Sequence, residues 1–395
     1  MPDRRAIIID TDPGQDDALA ILLALASDEF DVLGITAVAG NVPLTLTEKN
    51  VRKICELAGR PQTKVFAGSS RPLLRDLVTA EYVHGKTGLD GPDLPEPVMA
   101  LQTQHGVDFI IETLREKASG EVTLCTLGPL TNIALALIRA PDIAPKIREI
   151  VMMGGGFFEG GNTTPAAEFN IYVDPHAAAT VFRSGVPIVM IPLDCTHKAL
   201  TTRDRIAAMR AHGTKVTQAA AELIDFFERF DEDKYGTDGG PLHDPCVIAW
   251  LLRPELFSGR DCNVEIETGS ELTMGMTVVD WWGVTDRPKN AHVIRDIDAD
   301  GFFALAVMTA LTERYLDGRG PIAPATLADE MGADPRHVQG VVEVLRDAGL
   351  VRHAGEPPLC PGAVHVYRPP RNDPQPAYGF RRRRHRDHRT GRRLF

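Results

Sequence analysis

No two of the six cysteines in this 395-residue chain form a CxxC pair, and none stands at zinc-type spacing from a histidine. A zinc-ribbon site and a thioredoxin-like redox motif are thereby excluded. Most of the cysteines sit inside apolar runs, as Cys125 does in 122–127, so they read as small buried hydrophobes in a reducing compartment. No apolar stretch approaches the ~20 residues that a membrane-spanning helix needs. The opening Met-Pro-Asp-Arg-Arg is followed by too short an apolar run for a secretory signal, so a cytoplasmic protein without membrane attachment is expected. An excess of positive charge is missing as well. The formal net charge of -11 would repel both nucleic acid and an anionic membrane surface at long range.

What is present is an ordinary 43% of hydrophobic residues, enough for one large α/β domain and a smaller one. Short β-rich apolar runs at 6–9, 32–37, 64–67, 122–127, 150–153 and 187–192 alternate with helical patterns at 16–26, 44–58, 107–118, 131–139 and 174–184. That alternation predicts a mainly parallel central sheet flanked by helices on both faces. Ligands of such sheets gather at the carboxyl ends of the strands, so the chemistry should follow these runs. Further along, the sequence predicts helices over 202–230 and 244–252, a hairpin of 262–267 with 272–281, and a closing helix over 301–316.

Gly318-Arg319-Gly320-Pro321 breaks the pattern and divides the chain into a domain of 1–318 and a smaller one of 321–370. In the smaller part, 326–331 and 335–348 read as two short helices around Gly332, followed by strands at 350–353 and 363–367. This segment resembles a winged helix-turn-helix. Residues 371–395 carry Arg381-Arg382-Arg383-Arg384-His385-Arg386, then Arg389, Arg392 and Arg393, with few apolar neighbours, and read as a disordered tail.

The strand of Ile7-Ile8-Ile9 ends in Asp10-Thr11-Asp12-Pro13-Gly14-Gln15-Asp16-Asp17, after which a helix opens. A helix N-terminus neutralises one or two carboxylates, through its dipole and its caps. Four confined together repel, and raised pKa values or a bound cation relieve them. With only oxygen ligands the cation should be hard, Ca²⁺ or Mg²⁺. Capping by Asp16 and Asp17 with an Asx turn at Asp12 leaves this convergence unexplained. An aspartate-nucleophile phosphatase would follow its DxD with a hydroxyl residue and an apolar one, where this chain has Pro13-Gly14.

The run DTDPGQDDA resembles the N-terminal signature of the inosine–uridine-preferring nucleoside hydrolases. Further segments match in order: Ala39-Gly40-Asn41, His84-Gly85-Lys86-Thr87-Gly88-Leu89, Leu127-Gly128-Pro129-Leu130-Thr131-Asn132, Asn162 through Asn170, and His243-Asp244-Pro245. The resemblance spans about residues 5–315 and implies a hydrolase that cuts the N-glycosidic bond of ribonucleosides to free base and ribose. It implies Ca²⁺ held by Asp12, Asp17, Asp244 and the Leu127 carbonyl, binding also the ribose 2′- and 3′-hydroxyls and the attacking water. Asp12 would be the general base. Asp16 and Asn41 would contact the ribose, Asn162 and Glu168 the 5′-hydroxyl, and Asn170 the 2′/3′ side, with Asp10 orienting its neighbours. Glu168 on the Gly-rich loop after 150–153 would repel a 5′-phosphate, which favours nucleosides over nucleotides.

Departure of the base leaves an oxocarbenium-like sugar and negative charge on the leaving group. His243, beside Asp244, is the candidate general acid, with His84 as its helper. His176 and His197 read as structural, and Phe169, Phe230 and Tyr235 are candidates to pack around ribose or base. The two active histidines resemble those of members that take uridine, cytidine or inosine, and the family resemblance implies a dimer or tetramer. The rival reading is a nucleoside-sensing DNA-binding regulator, with Arg336 and Gln339 reading bases from the C-terminal helix-turn-helix. An intact Asp12 and His243 favours the enzyme, since a sensor needs neither base nor acid.

Overall fold

The computed structural model describes residues 4–235 and 239–303, together with the short strands Val351–His353 and Val364–Val366. In chain order the strands up to residue 303 are β1 (Arg5–Thr11), β2 (Phe30–Ala37), β3 (Val65–Ala67), β4 (Val122–Thr126), β5 (Ile147–Met153), β6 (Ile188–Ile191), β7 (Phe257–Cys262), β8 (Val264–Ile266), β9 (Thr277–Val279) and β10 (Ala291–Ile297). The helices are α1 (Gln15–Ala26), α2 (Leu44–Leu57), α3 (Glu81–His84), α4 (Gly106–Glu116), α5 (Thr131–Arg139), α6 (Phe169–Val173), α7 (Pro175–Phe182), α8 (Leu193–Thr196), α9 (Arg203–His212), α10 (Lys215–Tyr235) and α11 (Pro245–Leu252).

Eight strands form one sheet in the order β3-β2-β1-β4-β5-β6-β10-β7, and all its pairings are parallel except that of β10 with β7. Both faces are covered. Ile7 and Ile9 pack with Ile21, Ile54 and Val247 of α1, α2 and α11. Ile8 points the other way, to Ile110, Ile133 and Val181 of α4, α5 and α7. Burial on both faces is why β1 reads as a continuous apolar run rather than an alternating one.

The sheet order reverses at β1, which has β2 on one side and β4 on the other. At such a switch the connections leave toward opposite sides, and a crevice opens at the carboxyl ends of the two central strands. The loop 12–14 after β1 and Leu127 after β4 therefore meet there, tied by Leu127 N–H donating to the Asp10 carbonyl at 2.8 Å.

The expected parallel sheet and the five early helical stretches are found close to their predicted bounds. Three details differ. The 202–230 region is two helices, broken where Gly213 takes a left-handed φ of 75°. The predicted hairpin is shorter, β8 with β9, because Cys262 ends β7 in the main sheet. The third difference is the β7–β10 pair itself, which hydrophobic patterning does not show: as an edge strand, β7 exposes Ser258, Gly259, Arg260 and Asp261.

Residues 299–303 are helical, and the rest of the predicted closing helix lies outside the described residues. So do both helices of the winged helix-turn-helix segment, with Arg336 and Gln339, and the Arg-rich tail. The strands expected at 350–353 and 363–367 are Val351–His353 and Val364–Val366, paired in parallel register. Among the described residues no helix is long and apolar enough to cross a membrane.

Candidate active site

The end of β1 and the first turn of α1 hold the aspartates in unequal settings. Asp17 serves the helix start: its Oδ2 accepts the Gly14 N–H at 2.9 Å and its Oδ1 the Thr11 hydroxyl at 2.5 Å. Asp12 Oδ2 accepts the backbone N–H of Asn41 at 2.7 Å, and Asn41 Nδ2 donates to the Asp12 carbonyl at 3.1 Å. Asp12 Oδ1 is buried and has no hydrogen-bond partner among the described residues. Asp10 lies behind the others. Its Oδ2 accepts from Thr36 and from Asn132 Nδ2, the latter at 2.8 Å, and Asn132 in turn accepts the Ser69 N–H.

Asp244 reaches this cluster from the start of α11, where Pro245 takes the first helical position. Asp16, Asp17 and Asp244 are all buried, and each offers a carboxylate oxygen within 4.8 Å of the others. Burial pushes the carboxyl of Asp12 well above its ordinary range, and the negative charge of Asp17 adds to the shift. Burial likewise raises Asp244, with Asp16 and Asp17 contributing repulsion, and burial raises Asp17. Such a group either keeps protons or takes up a cation. An all-oxygen donor set with an orphaned carboxylate oxygen fits a hard divalent cation.

A second wall comes from the loop between β5 and α6. Glu168 caps α6, accepting the N–H of Asn170 at 2.9 Å and, through its other oxygen, that of Gly155 at 2.8 Å. Burial nevertheless raises its carboxyl to about 7. Asn162 Oδ1 accepts the Phe169 N–H at 2.9 Å. Asn170 Nδ2 donates to the Leu127 carbonyl at 2.8 Å, which leaves that oxygen its second lone pair.

The third wall is aromatic. His84 on α3 stacks on Phe227 of α10, with centroids 5.8 Å apart, and Phe227 meets His243 edge-on at 6.3 Å. His243 Nδ1 is paired at 2.7 Å with the hydroxyl of Thr196, the last residue of α8. Burial lowers the His84 imidazole to about 4.

The three walls enclose a pocket that opens to solvent. Asp16, Asp17, Asn41, His84, Leu127, Asn162, Glu168, Asn170, His243 and Asp244 all line it. Asp10 and Asp12 are fully buried and are not among the residues that line it. Phe169 lines the pocket with Tyr82 and Phe227, while the side chains of Phe230 and Tyr235 fall outside the described residues.

Sequence reasoning missed Thr196, Phe227 and Gln15. Thr196 could have been found, because it follows the apolar run at 187–192, where ligands of a parallel sheet gather. His197, read as structural, lies beside it, its ring 5.8 Å from that of His243. Phe227 is one aromatic among several on a long helix, and nothing local marks it.

The profile described as inosine-uridine preferring nucleoside hydrolase matches residues 7–304. The chain is 55% identical over 301 residues to an uncharacterized protein of Schizosaccharomyces pombe, covering 76% of this chain and 97% of that one. It is 50% identical over 300 residues to the pyrimidine-specific ribonucleoside hydrolase RihA of Citrobacter koseri, covering 76% and 96%. Among solved structures, the purine-preferring ribonucleoside hydrolase from Gardnerella vaginalis superposes with a TM-score of 0.71 at 30% identity, covering 86% of this chain and 99% of that one.

Proposed function

The chain belongs to the inosine-uridine preferring nucleoside hydrolase family and hydrolyses ribonucleosides, and from that premise we propose that it takes pyrimidine nucleosides and inosine with Ca²⁺ or Mg²⁺ as its metal. The observation that carries this reading is one pocket with buried carboxylates on its floor and a histidine on the facing wall. The Citrobacter relative is pyrimidine-specific, which supports the pyrimidine preference. A purine-preferring enzyme shares the fold, so the frame alone does not decide the base.

Asp17 and Asp244, which form one cluster with Asp16, would hold the cation together with Asp12 and the Leu127 carbonyl. When bound, the cation supplies charge compensation for these carboxylates, a grip on the ribose diol and acidification of water. Asp12 Oδ1, the oxygen without an internal partner, takes the proton of the attacking water as its oxygen bonds to the anomeric carbon. Asp16, Asn41 and Asn170 hold the 2′- and 3′-hydroxyls, and Asn162 and Glu168 the 5′-hydroxyl. Their oxygens lie around the sugar as it becomes cationic. His243 gives its proton to the leaving base nitrogen as the glycosidic bond breaks, and Thr196 fixes the ring for that transfer. His84 lines the same wall.

The five described cysteines are buried free thiols, which supports a reducing, cytoplasmic location. A dimer or tetramer is the proposed assembly, and light scattering decides it. The function itself is tested by incubating the protein with uridine, cytidine, inosine and adenosine, with and without a chelator, and measuring ribose. Chelator-sensitive release from uridine, cytidine or inosine is expected. No release from any of them, or release indifferent to chelation, overturns the reading.

A further inference from the structure

His84 and His243 are not equivalent, and the reason lies in Gln15. This side chain is buried at the start of α1, and its Nε2 spends both hydrogens on backbone carbonyls, of His84 at 3.0 Å and of Asp90 at 3.1 Å. Turning the amide over would set its oxygen against those two carbonyls, so its orientation is fixed without reference to the histidine. Its Oε1 then faces His84 Nδ1 at 2.7 Å. An amide oxygen only accepts, so Nδ1 must carry the hydrogen.

The imidazole is buried and stacked on Phe227, a setting that favours the neutral ring. In a neutral ring with hydrogen on Nδ1, Nε2 holds a lone pair. His84 lines the pocket with Nδ1 turned to Gln15, so the nitrogen it has left for a ligand is an acceptor. At His243 the Nδ1 partner is the Thr196 hydroxyl, which donates or accepts and by itself imposes no tautomer.

We propose that Gln15 is a positioning residue that locks His84 in the Nδ1–H tautomer, so that Nε2 accepts a hydrogen bond from an N–H on the base edge, such as N3–H of uracil. The assignment of the ligand rests on the ribonucleoside reading; the tautomer does not. His84 thus reads the base, and proton delivery falls to His243.

The test uses the full-length protein labelled with ¹⁵N-histidine. Long-range ¹H–¹⁵N correlations at pH 7 identify the tautomer, with His84 assigned by its loss in His84→Asn. Wild type should show protonated Nδ1 and bare Nε2, and Gln15→Met should return the ring toward the Nε2–H form. Kinetics supply the second arm. Wild type should prefer uridine to 3-methyluridine by about tenfold or more in kcat/KM, and Gln15→Met should narrow that preference. The steric cost of the methyl is common to both proteins, so the narrowing isolates the hydrogen bond. An Nε2–H ring in wild type overturns the proposal without need of a variant, as does a folded Gln15→Met with an unchanged tautomer. An unchanged uridine preference in a variant whose tautomer has shifted overturns the base-reading role. Absence of any nucleoside hydrolysis refutes the functional reading instead, and leaves the tautomer to the spectra.

Discussion

The backbone N–H of Asn41 donates to Asp12 Oδ2 at 2.7 Å, so one oxygen of this carboxylate is anchored and the other, Oδ1, is left without an internal partner. Anchoring fixes the rotamer, and the orphaned oxygen is the one free to take a proton. Asp12→Asn should therefore lower ribose release by about 10²-fold to 10⁴-fold, the range for loss of a general base. The melting temperature in the absence of metal should hold or rise, since a buried repelling charge is gone. A variant that keeps more than about a tenth of the wild-type rate removes Asp12 from the base role.

The same carboxylate is wedged between two backbones. A Cβ on Gly128 would collide with Asp12 Oδ1, and one on Gly40 with Oδ2. Neither glycine is needed for a left-handed backbone, so each is required for the space it leaves. Gly128→Ala should retain the fold by circular dichroism yet lose activity by about 10²-fold, the scale of a catalytic group displaced by about 1 Å. An active Gly128→Ala would mean that Asp12 moves freely, contrary to its anchored geometry.

Burial raises Asp10 from 3.8 and Glu168 from 4.5 to about 7 each. Between those limits the native state holds protons that the unfolded chain has lost. Stability from these two groups is thus fully present below about pH 4 and falls as pH rises to 7, by up to about 1.4 kcal/mol per proton per pH unit. His84, lowered from 6.5 to about 4, acts in the opposite sense between those values. The difference between wild type and Glu168→Gln isolates one group: the urea-derived stability of the variant should fall less steeply from pH 5 to 7. Parallel curves would mean that Glu168 ionises in the native state as it does in the unfolded chain.

Without a cation, the raised Asp12, Asp17 and Asp244 add to that loss. A cation binds the ionised form, so the melting-temperature gain from added Ca²⁺ should be larger at pH 8 than at pH 5 and should vanish with chelator. A gain independent of pH would place the ion elsewhere.

Strand β1 and the aspartates after it were legible because the signal is local: an apolar run buried on both faces, then a carboxylate-rich turn into a helix. Asp244 lies more than 220 residues further on, and spacing could not bring it to Asp17; the resemblance did. The partners of the histidines were illegible for a related reason. Gln15 and His84 are separated by 69 positions, and Thr196 and His243 by 47. Gln and Thr carry no charge whose burial would demand explanation, so neither residue type points to a histidine partner. The edge pair β7 and β10 was hidden because half-exposed strands mix charged residues into their pattern.

The pairing of Thr196 with His243 allows a test that separates proton delivery from sugar binding. His243→Ala should cost about 10²-fold to 10⁴-fold on uridine, and Thr196→Val about tenfold through loss of ring orientation. Because the hydroxyl acts through the ring, adding Thr196→Val to His243→Ala should cost almost nothing more, the non-additivity of two residues on one path. The leaving group supplies the control. A ribosyl glycoside of an acidic phenol loses its phenolate without protonation, so its hydrolysis should be nearly indifferent to His243→Ala while remaining dependent on Asp12. Equal losses on uridine and on the phenolic substrate would assign His243 to the sugar or to the integrity of the neighbouring Asp244, and the proton to another donor.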